Sequence, residues 1–198
     1  MPTRVYLMRH GEVANDGEKR YNGHIDIDIT QKGVDQMHRL AGLLEGKGIA
    51  AVYSSDLIRS KKGAEIISRR VGISATTLRE LRERSVGAWE GLTADEIKTR
   101  FPEQYAAWRA DLLNFRPPGG ECLLDVRARI LPVFKRLVAS HPEQEIAMLL
   151  HGGVNRVILA DALGLDMMNL FRIDQSFGAL NIIDFFDDGM ALVKLLNG

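Results

Sequence analysis

The sequence predicts an α/β fold, a three-layer sandwich in which a mostly parallel central sheet lies between helices on both faces. Two observations predict it. Short apolar runs typical of buried strands alternate with longer segments whose apolar residues have helical spacing. Several of these runs end abruptly on polar residues and glycine, as strands do at the carboxyl edge of an open parallel sheet. We therefore expect one domain over residues 1–198, with a small helical insertion at roughly residues 93–118.

The chain opens on a predicted strand. Val5–Met8 is an apolar run typical of a strand buried on both faces, and Arg9-His10-Gly11 follows it directly. The polar stretch Val13–Ile29 is long for a loop, and long loops in small domains are usually functional or disordered. Thr30 then has the character of an N-cap for the first helix.

A second strand and helix repeat this pattern. Ile49–Tyr53 predicts the strand, and Ser55 or Asp56 is expected to cap the helix after it. Arg59 falls in the first turn of that helix, again beside the carboxyl end of a strand. The sequence gives no local reason for Gly63 inside the helix, where glycine costs about 1 kcal/mol relative to alanine.

The middle of the chain is less regular. Ile73–Leu78 is a weak candidate for a third strand. Thr93–Asp111 has a helical pattern that Pro102 interrupts, and we expect this segment to form a helical insertion over the sheet edge. A long helix follows with Pro132 inside it, so that helix is expected to kink or to begin later.

The last part contains the most apolar strand and a hairpin. Glu145–Leu150 ends on His151-Gly152-Gly153, and an amphipathic helix begins at once. Leu180–Phe186 and Met190–Leu196, joined by Asp187-Asp188-Gly189, predict a β-hairpin. Its edge offers a surface for pairing, so we expect either a monomer or a homodimer.

The composition restricts the partners. A hydrophobic content of 45% supports a real core, and Lys+Arg equals Asp+Glu at 26 each. A net charge of zero argues against nucleic acid or an anionic membrane as partner. The single cysteine, Cys122, excludes an intrachain disulfide and a multi-cysteine metal site. With no segment that resembles a signal peptide or a membrane span, we expect a cytoplasmic protein. Because the sequence has no thiol cluster and no zinc-like ligand spacing, we also expect that the protein uses no metal and no cofactor.

Three predicted strand ends carry matching chemistry: Arg9 and His10 follow the first strand, Ser54 and Ser55 with Arg59 the second, and His151 the most apolar one. Parallel strands bring their carboxyl ends to one edge, where helix N-termini also favour an anion. Arginine forks suit phosphate oxygens, and a neutral histidine can attack phosphorus in line. Neighbouring arginines disfavour protonation of such a histidine. These residues indicate metal-free phosphoryl chemistry on a small-molecule phosphomonoester.

Glu83 is the candidate for the proton that the leaving oxygen needs. A carboxyl group beside a bound phosphate keeps its proton more readily than one in water. If residues 81–85 are extended, Glu83 points opposite to Arg82 and Arg84, which are then expected to be solvated or at the rim.

Five groups of residues, in order, resemble the motifs of the histidine phosphatase, or phosphoglycerate-mutase-like, superfamily. They are Arg9-His10-Gly11-Glu12 with Asn15; Tyr21-Asn22-Gly23 with Asp26 through Gly33; Ser54-Ser55-Asp56-Leu57 with Arg59 and Ala64; Leu81-Arg82-Glu83 with Gly87, Trp89, Glu90 and Gly91; and Pro118-Gly119-Gly120-Glu121 with His151-Gly152-Gly153. The resemblance spans nearly the whole chain. Each group alone is a weak signal, whereas all of them in order are highly specific.

The resemblance implies a phosphohistidine on His10, with Glu83 first as proton donor and then as base for the hydrolytic water. The substrate-binding positions that follow are Arg9, Gly11, Asn15, Tyr21, Gly23, Arg59, His151 and Gly152. Departures from the family pattern occur at Gly63, where threonine is usual, at Cys122, where serine is usual, and at Leu150, where a small residue is usual.

The branch of the family is indicated by the insertion. Mutases of the family carry a pair of arginines there, whereas Trp108-Arg109-Ala110-Asp111 offers one. This favours a phosphatase, and the Tyr21-Asn22-Gly23 run most resembles α-ribazole phosphatases, which makes α-ribazole 5′-phosphate the candidate substrate. The alternatives are a cofactor-dependent phosphoglycerate mutase and a non-catalytic regulatory member.

Overall fold

The computed structural model describes residues 1–198, with the side chain of Asp16 excepted. The strands are β1 (Thr3–Arg9), β2 (Ile49–Ser54), β3 (Ala75–Thr77), β4 (Glu145–Leu150), β5 (Leu180–Phe185) and β6 (Ala191–Leu195). The α-helices are α1 (Gln31–Leu44), α2 (Ile58–Val71), α3 (Ala94–Arg100), α4 (Pro102–Ala110), α5 (Leu123–Ala139) and α6 (Gly152–Ala162). Short 3-10 helices lie at Asp16–Glu18, Arg79–Leu81, Gly87–Trp89 and Met167–Arg172.

The strands form one sheet in the order β3-β2-β4-β1-β5-β6. The pairs among β1 to β4 are parallel, and β5 and β6 are antiparallel, which confirms the predicted mostly parallel sheet. In the β1–β4 register Arg9 lies opposite Leu150. In the β2–β4 register Ser54 lies opposite Leu149. The residues that follow these three strands therefore meet at one edge of the sheet.

Helices cover both faces of the sheet, as predicted. Alternate residues of β1 point to opposite faces. Val5 and Leu7 are buried in a core cluster with residues of α5 and α6, while Tyr6 and Met8 are buried in a second cluster with residues of α1 and α2. β1 is therefore buried on both faces, which confirms the interpretation of its continuous apolar run.

The starts of α1 and α2 differ from each other. The Thr30 hydroxyl accepts a hydrogen bond from the main-chain N–H of Gly33 at 3.0 Å, which confirms the predicted cap of α1. The predicted caps of α2 are wrong. Its N-cap is Leu57, with no side-chain hydrogen bond. Asp56 forms an ion pair instead, and the Ser55 hydroxyl lies in the site described below.

The insertion contains α3 and α4, which meet at the predicted break because Pro102 is the first residue of α4. The Thr93 side chain caps α3. Beneath them lies a third, small core of Val86, Trp89 and Ile97, separate from the two sheet cores, and the partly buried aromatic residues packed against it are Tyr21, Phe101, Tyr105, Trp108 and Phe115.

The remaining predicted elements are observed with small changes. The third strand is shorter than predicted, Ala75–Thr77, and α5 runs through Pro132 without a later start. Cys122 is buried at the N-cap of α5, in keeping with a packing residue. β5 and β6 form the predicted hairpin. Across the described chain, no helix has the length and apolar character needed to cross a membrane.

Candidate active site

His10 follows β1 directly and is 5% exposed. Its Nδ1 lies 2.8 Å from the main-chain oxygen of Gly11, and since a carbonyl only accepts, Nδ1 carries the hydrogen and Nε2 keeps its lone pair. Burial, and then the charges of Arg9 and Arg59, hold the pKa of His10 well below its usual value. His10 is therefore neutral at physiological pH, the form that can attack phosphorus.

Arg59 lies in the first turn of α2 and is 2% exposed. Its Nη1 and Nη2 donate to the main-chain oxygens of Ile25 and Gly23, at 2.8 and 2.7 Å. Within the described part of the chain, no carboxylate comes within ion-pair distance of its guanidinium. A buried cation held only by carbonyl dipoles is well suited to an incoming anion.

Arg9 is the last residue of β1, so the strand ends one residue later than the predicted Met8. Its Nη1 donates to the main-chain oxygen of Gln175, and its guanidinium carbon lies 3.8 Å from the centroid of the Phe177 ring. The Gln175 side chain is itself hydrogen-bonded to the buried amides of Asn155 and Asn181. A buried amide network thus fixes the backbone that holds Arg9.

His151 is the N-cap of α6 and is fully buried, with its ring centroid 5.2 Å from that of His10. Its Nε2 lies 2.7 Å from the Ser55 hydroxyl, while the buried Nδ1 has no partner among the described residues. Burial, and then the charge of Arg59, lowers the pKa of His151 well below its usual value. A serine that donates to Nε2 leaves Nδ1 as an N–H donor for a phosphate oxygen.

Glu83 is fixed at both its carboxylate and its main chain. Oε2 accepts from the N–H of Gly153 at 2.9 Å, and Oε1 from the N–H of Arg84 at 2.8 Å. Its main-chain oxygen accepts from Nε2 of His24 at 2.8 Å and from Nη2 of Arg129 at 3.2 Å. These contacts hold the carboxyl group against the first turn of α6, beside His151.

The site opens into a cavity of about 780 Å³, far larger than a phosphate group needs. Arg9, His10, Arg59 and Glu83 border it at one end. The insertion and the loop before α1 contribute Tyr21, Asn22, Trp108, Arg109 and Leu112 to its lining, and the 3-10 helix Gly87–Trp89 contributes Trp89. The lining also contains Gly152, Arg156, Leu170, Phe171 and Phe177. The cavity therefore has room for a sizeable leaving group with apolar and aromatic contacts.

The structure separates the predicted substrate-binding residues into two groups. Those that border the cavity are Arg9, Tyr21, Gly23, Arg59 and Gly152, whereas His151 lies beneath it. Asn15 exchanges two amide hydrogen bonds with Asn22, at 2.6 and 2.9 Å, and it is Asn22 that borders the cavity.

At Gly11 an added Cβ would lie 2.4 Å from the main-chain oxygen of Gly33. Glycine at this position is thus explained by the close approach of two backbones, and its contact with substrate stays a prediction.

The two arginines beside Glu83 also differ. Arg82 pairs with Asp56 at 2.6 Å near the rim, as expected. Arg84 is half-buried, donates to the main-chain oxygen of Glu121 at 2.7 Å and borders the cavity, so its expected solvated position is wrong. Leu81 ends a 3-10 helix, and Arg84 is drawn inward by hydrogen bonds to the main-chain oxygens of Glu121 and Phe115. Burial lowers the pKa of Arg84.

Ser55 and His24 are contacts that sequence reasoning missed. The sequence predicts a helix cap at Ser55, which directly follows β2 as His10 follows β1, and does not predict its contact with His151. Ser55 and His24 both act on other site residues rather than on the cavity, and hydrogen bonds between distant segments leave no periodic pattern in a sequence.

Comparison with known proteins identifies the family of this chain. Residues 5–198 match the sequence profile of the Histidine phosphatase superfamily (branch 1). The adenosylcobalamin/alpha-ribazole phosphatase of Salmonella typhimurium is 31% identical over 196 residues, covering 98% of this chain and 96% of that protein. The glucosyl-3-phosphoglycerate phosphatase of Mycobacterium tuberculosis is 32% identical over 174 residues, 84% of this chain and 78% of that protein.

The fold is also similar to that of a solved structure. The alpha-ribazole phosphatase from Shigella flexneri superposes with a TM-score of 0.91 at 26% identity, over 99% of this chain and 96% of that one. Curated mycobacterial proteins that are 32% identical over 99% of this chain are longer, and the chain spans about half of their length, 54%. The family that the motifs indicated is confirmed: this chain belongs to the histidine phosphatase superfamily, branch 1.

Proposed function

We propose that this chain is a metal-independent phosphomonoesterase that hydrolyses a small phosphorylated metabolite through a phosphohistidine on His10. The observation that carries the proposal is the setting of His10, a buried imidazole whose Nδ1 is tied to a carbonyl and whose pKa is held well below its usual value by burial and by the charges of Arg9 and Arg59. A neutral nucleophile beside two fixed cations suits attack on a phosphate dianion.

In the first step the phosphoryl group moves to His10. Arg9, Arg59 and the N–H of His151 hold the phosphate oxygens, and Nε2 of His10 attacks phosphorus in line with the leaving oxygen. The bond between phosphorus and that oxygen breaks as the N–P bond forms. The protonated carboxyl group of Glu83 gives its proton to the leaving alkoxide, so the alcohol departs neutral.

In the second step water takes the place of the alcohol. The Glu83 carboxylate now accepts a proton from the water, whose oxygen attacks phosphorus as the bond to Nε2 of His10 breaks. Inorganic phosphate leaves, and both His10 and Glu83 return to their starting protonation states. The same cations stabilise both transition states because the phosphate oxygens stay in place.

α-Ribazole 5′-phosphate is the first substrate to test. The sequence run at residues 21–23 resembles α-ribazole phosphatases, and the Salmonella relative carries that name. A cavity of about 780 Å³ is within the usual range for binding a small molecule, so this metabolite suits its size. The cavity walls of Trp89, Trp108 and Phe171 suit a leaving group with a flat apolar part.

The test begins with p-nitrophenyl phosphate in excess EDTA. We expect full activity of the wild-type chain, none of His10→Ala, and normal activity of His38→Ala, a matched change at an exposed histidine of α1. An acid-labile phosphoryl group should be trapped on wild-type protein and not on His10→Ala. Full activity of His10→Ala, or loss of wild-type activity in EDTA, would contradict the proposal.

A substrate panel then separates the alternatives. It contains α-ribazole phosphate, sugar phosphates, nucleotides and 3-phosphoglycerate with 2,3-bisphosphoglycerate. A phosphatase releases phosphate from at least one of them. Interconversion of phosphoglycerates that outpaces phosphate release would identify a mutase, and binding without turnover of any member would identify a non-catalytic protein.

A further inference from the structure

The loop before α1 contacts both the phosphate site and the candidate proton donor through three consecutive residues, which we name the 23–25 bridge. Gly23 and Ile25 accept hydrogen bonds from Arg59 through their main-chain oxygens, at 2.7 and 2.8 Å. Between them His24 places Nε2 2.8 Å from the main-chain oxygen of Glu83. Because a carbonyl only accepts, Nε2 carries the hydrogen and donates. A single tripeptide thus connects Arg59 to Glu83.

The 23–25 bridge is itself anchored on the segment that carries Glu83. The N–H of His24 donates to Oε1 of Glu90 at 2.9 Å. Gly23 has a φ of +45°, and a Cβ there would lie 2.6 Å from the same Oε1. The main chain of Tyr21 pairs with that of Gly91 and Leu92, at 2.8 and 2.9 Å. Main chain and ring of His24 are therefore both held, so its contact with Glu83 has little freedom.

His24 contacts Glu83, which borders the cavity, and does not border the cavity itself. It is absent from the described residues that border the cavity, so its ring reaches the substrate only through Glu83. The second donor to the Glu83 oxygen, Arg129, comes from α5 and is paired with Glu121 at 2.8 Å. Arg129 therefore holds Glu83 against α5, whereas His24 holds it relative to Arg59.

We infer that His24 is a positioning residue, which sets the separation between the phosphate bound at Arg59 and the proton-donating carboxyl of Glu83. The inference rests on the proposed phosphatase function, because this separation matters only if a leaving oxygen is protonated. Displacing a reacting group by about 1 Å costs on the order of 10²-fold in rate. Loss of the His24 hydrogen bond should therefore slow proton donation while phosphate binding stays intact.

The experiment compares His24→Phe, which keeps a ring and removes the donor, with His24→Gln, which restores an N–H donor. Each is assayed in single turnover with n-propyl phosphate and with p-nitrophenyl phosphate. The propyl alkoxide needs a proton to leave, whereas p-nitrophenolate does not. We expect His24→Phe to form phosphohistidine about 10- to 100-fold more slowly from propyl phosphate. With p-nitrophenyl phosphate and in inorganic phosphate binding it should stay within about three-fold of wild type, and His24→Gln should recover the propyl phosphate rate.

Other results would overturn the inference. An equal loss with both substrates, or weaker phosphate binding, would mean that His24 only maintains the local fold, and unchanged kinetics would mean that it has no role. Nitrogen-15 NMR of the His24 ring tests the hydrogen bond independently of activity, and an Nδ1–H tautomer would refute it. Wild-type protein that forms no phosphohistidine from either substrate would instead refute the proposed function.

Discussion

His10 and His151 are buried histidines whose rings stay neutral in the folded chain, because burial and the neighbouring arginines lower the pKa of each well below 6.5. Below pH 6.5 the unfolded chain binds protons at these positions and the folded chain does not. The free energy of unfolding therefore falls as pH is lowered from neutral through 6.5 towards the lowered values.

Substitution of either histidine tests this linkage. One proton contributes about 1.4 kcal/mol per pH unit. Urea unfolding of His10→Asn and His151→Asn, measured between pH 7.5 and 5.5 without phosphate, should show pH slopes shallower than wild type by up to this amount. The free energy of unfolding rises with pH in this range because only the unfolded chain binds the additional proton on each histidine. A slope in either variant as steep as in wild type would contradict a neutral buried histidine at that position.

Gly153 is the residue against which the Glu83 carboxylate rests. A Cβ at Gly153 would lie 2.4 Å from Oε1 of Glu83, so alanine must displace the carboxyl and weaken its hydrogen bond to the Gly153 N–H. We expect Gly153→Ala to lower kcat for alkyl phosphates by about 10- to 100-fold with a small change in KM. In a protein that already carries Glu83→Gln, Gly153→Ala should lower kcat much less, because both substitutions act through the side chain at position 83. Additive losses in the double variant would show that Gly153 acts by another route.

At the residue scale the sequence predicted which side chains meet, but not what each one touches. Arg9, His10, Arg59 and Glu83 could be predicted because a strand end or a family motif marks each of them. The burial of Arg84 could not be, because it depends on carbonyl groups of a distant segment. The need for glycine at Gly11 could not be predicted either, because it comes from a close contact with the backbone of α1.

At the element scale, Gly63 of α2 is explained by its neighbours. A Cβ there would lie 2.5 Å from Cδ2 of Leu149 and 2.7 Å from Sδ of Met37, so α2 packs too closely on β4 and α1 for a side chain. Met37 and Leu149 occupy the space that a threonine would need at this position.

Two glycine substitutions in helices should therefore have opposite effects. Gly63→Ala should destabilise the protein by about 1–3 kcal/mol through overpacking. Gly42→Ala in α1, where no described atom lies within 4 Å of the added Cβ, should stabilise it by up to about 1 kcal/mol. Denaturant unfolding of both variants measures the contrast. Stabilisation by Gly63→Ala would mean that α2 can shift away from the sheet at little cost.

Helices and strands were predicted best where apolar residues recur at a regular spacing. They were predicted worst where tertiary contacts determine the path of the backbone. Strands β1 and β4 and the terminal hairpin follow from sequence pattern alone. The segment from Leu81 to Gly91 does not, because two short 3-10 helices and contacts with the 23–25 bridge determine its path. That irregular segment carries Glu83, so the least predictable part of the backbone holds the candidate proton donor.

At the scale of the whole molecule, the site is assembled from segments that are far apart in the chain. β1 ends at Arg9 and is followed by His10, α2 contributes Arg59, and the junction of β4 with α6 contributes His151. Each cation is held by carbonyl oxygens of a different loop, and burial opposes the charge of Arg59. A tetrahedral dianion would satisfy all three segments at once, so its binding should stabilise the complete fold and not a single element.

Inorganic phosphate should therefore raise the melting temperature. At 100 times its dissociation constant a ligand adds about 2.7 kcal/mol, which for a domain of this size corresponds to a rise of roughly 5–10 °C. Thermal unfolding is followed in phosphate and in chloride at equal ionic strength. Arg59→Met should abolish the rise, whereas Arg172→Gln, which removes an exposed arginine after α6, should retain it. An equal rise in Arg59→Met would show that phosphate stabilises the fold without occupying this site.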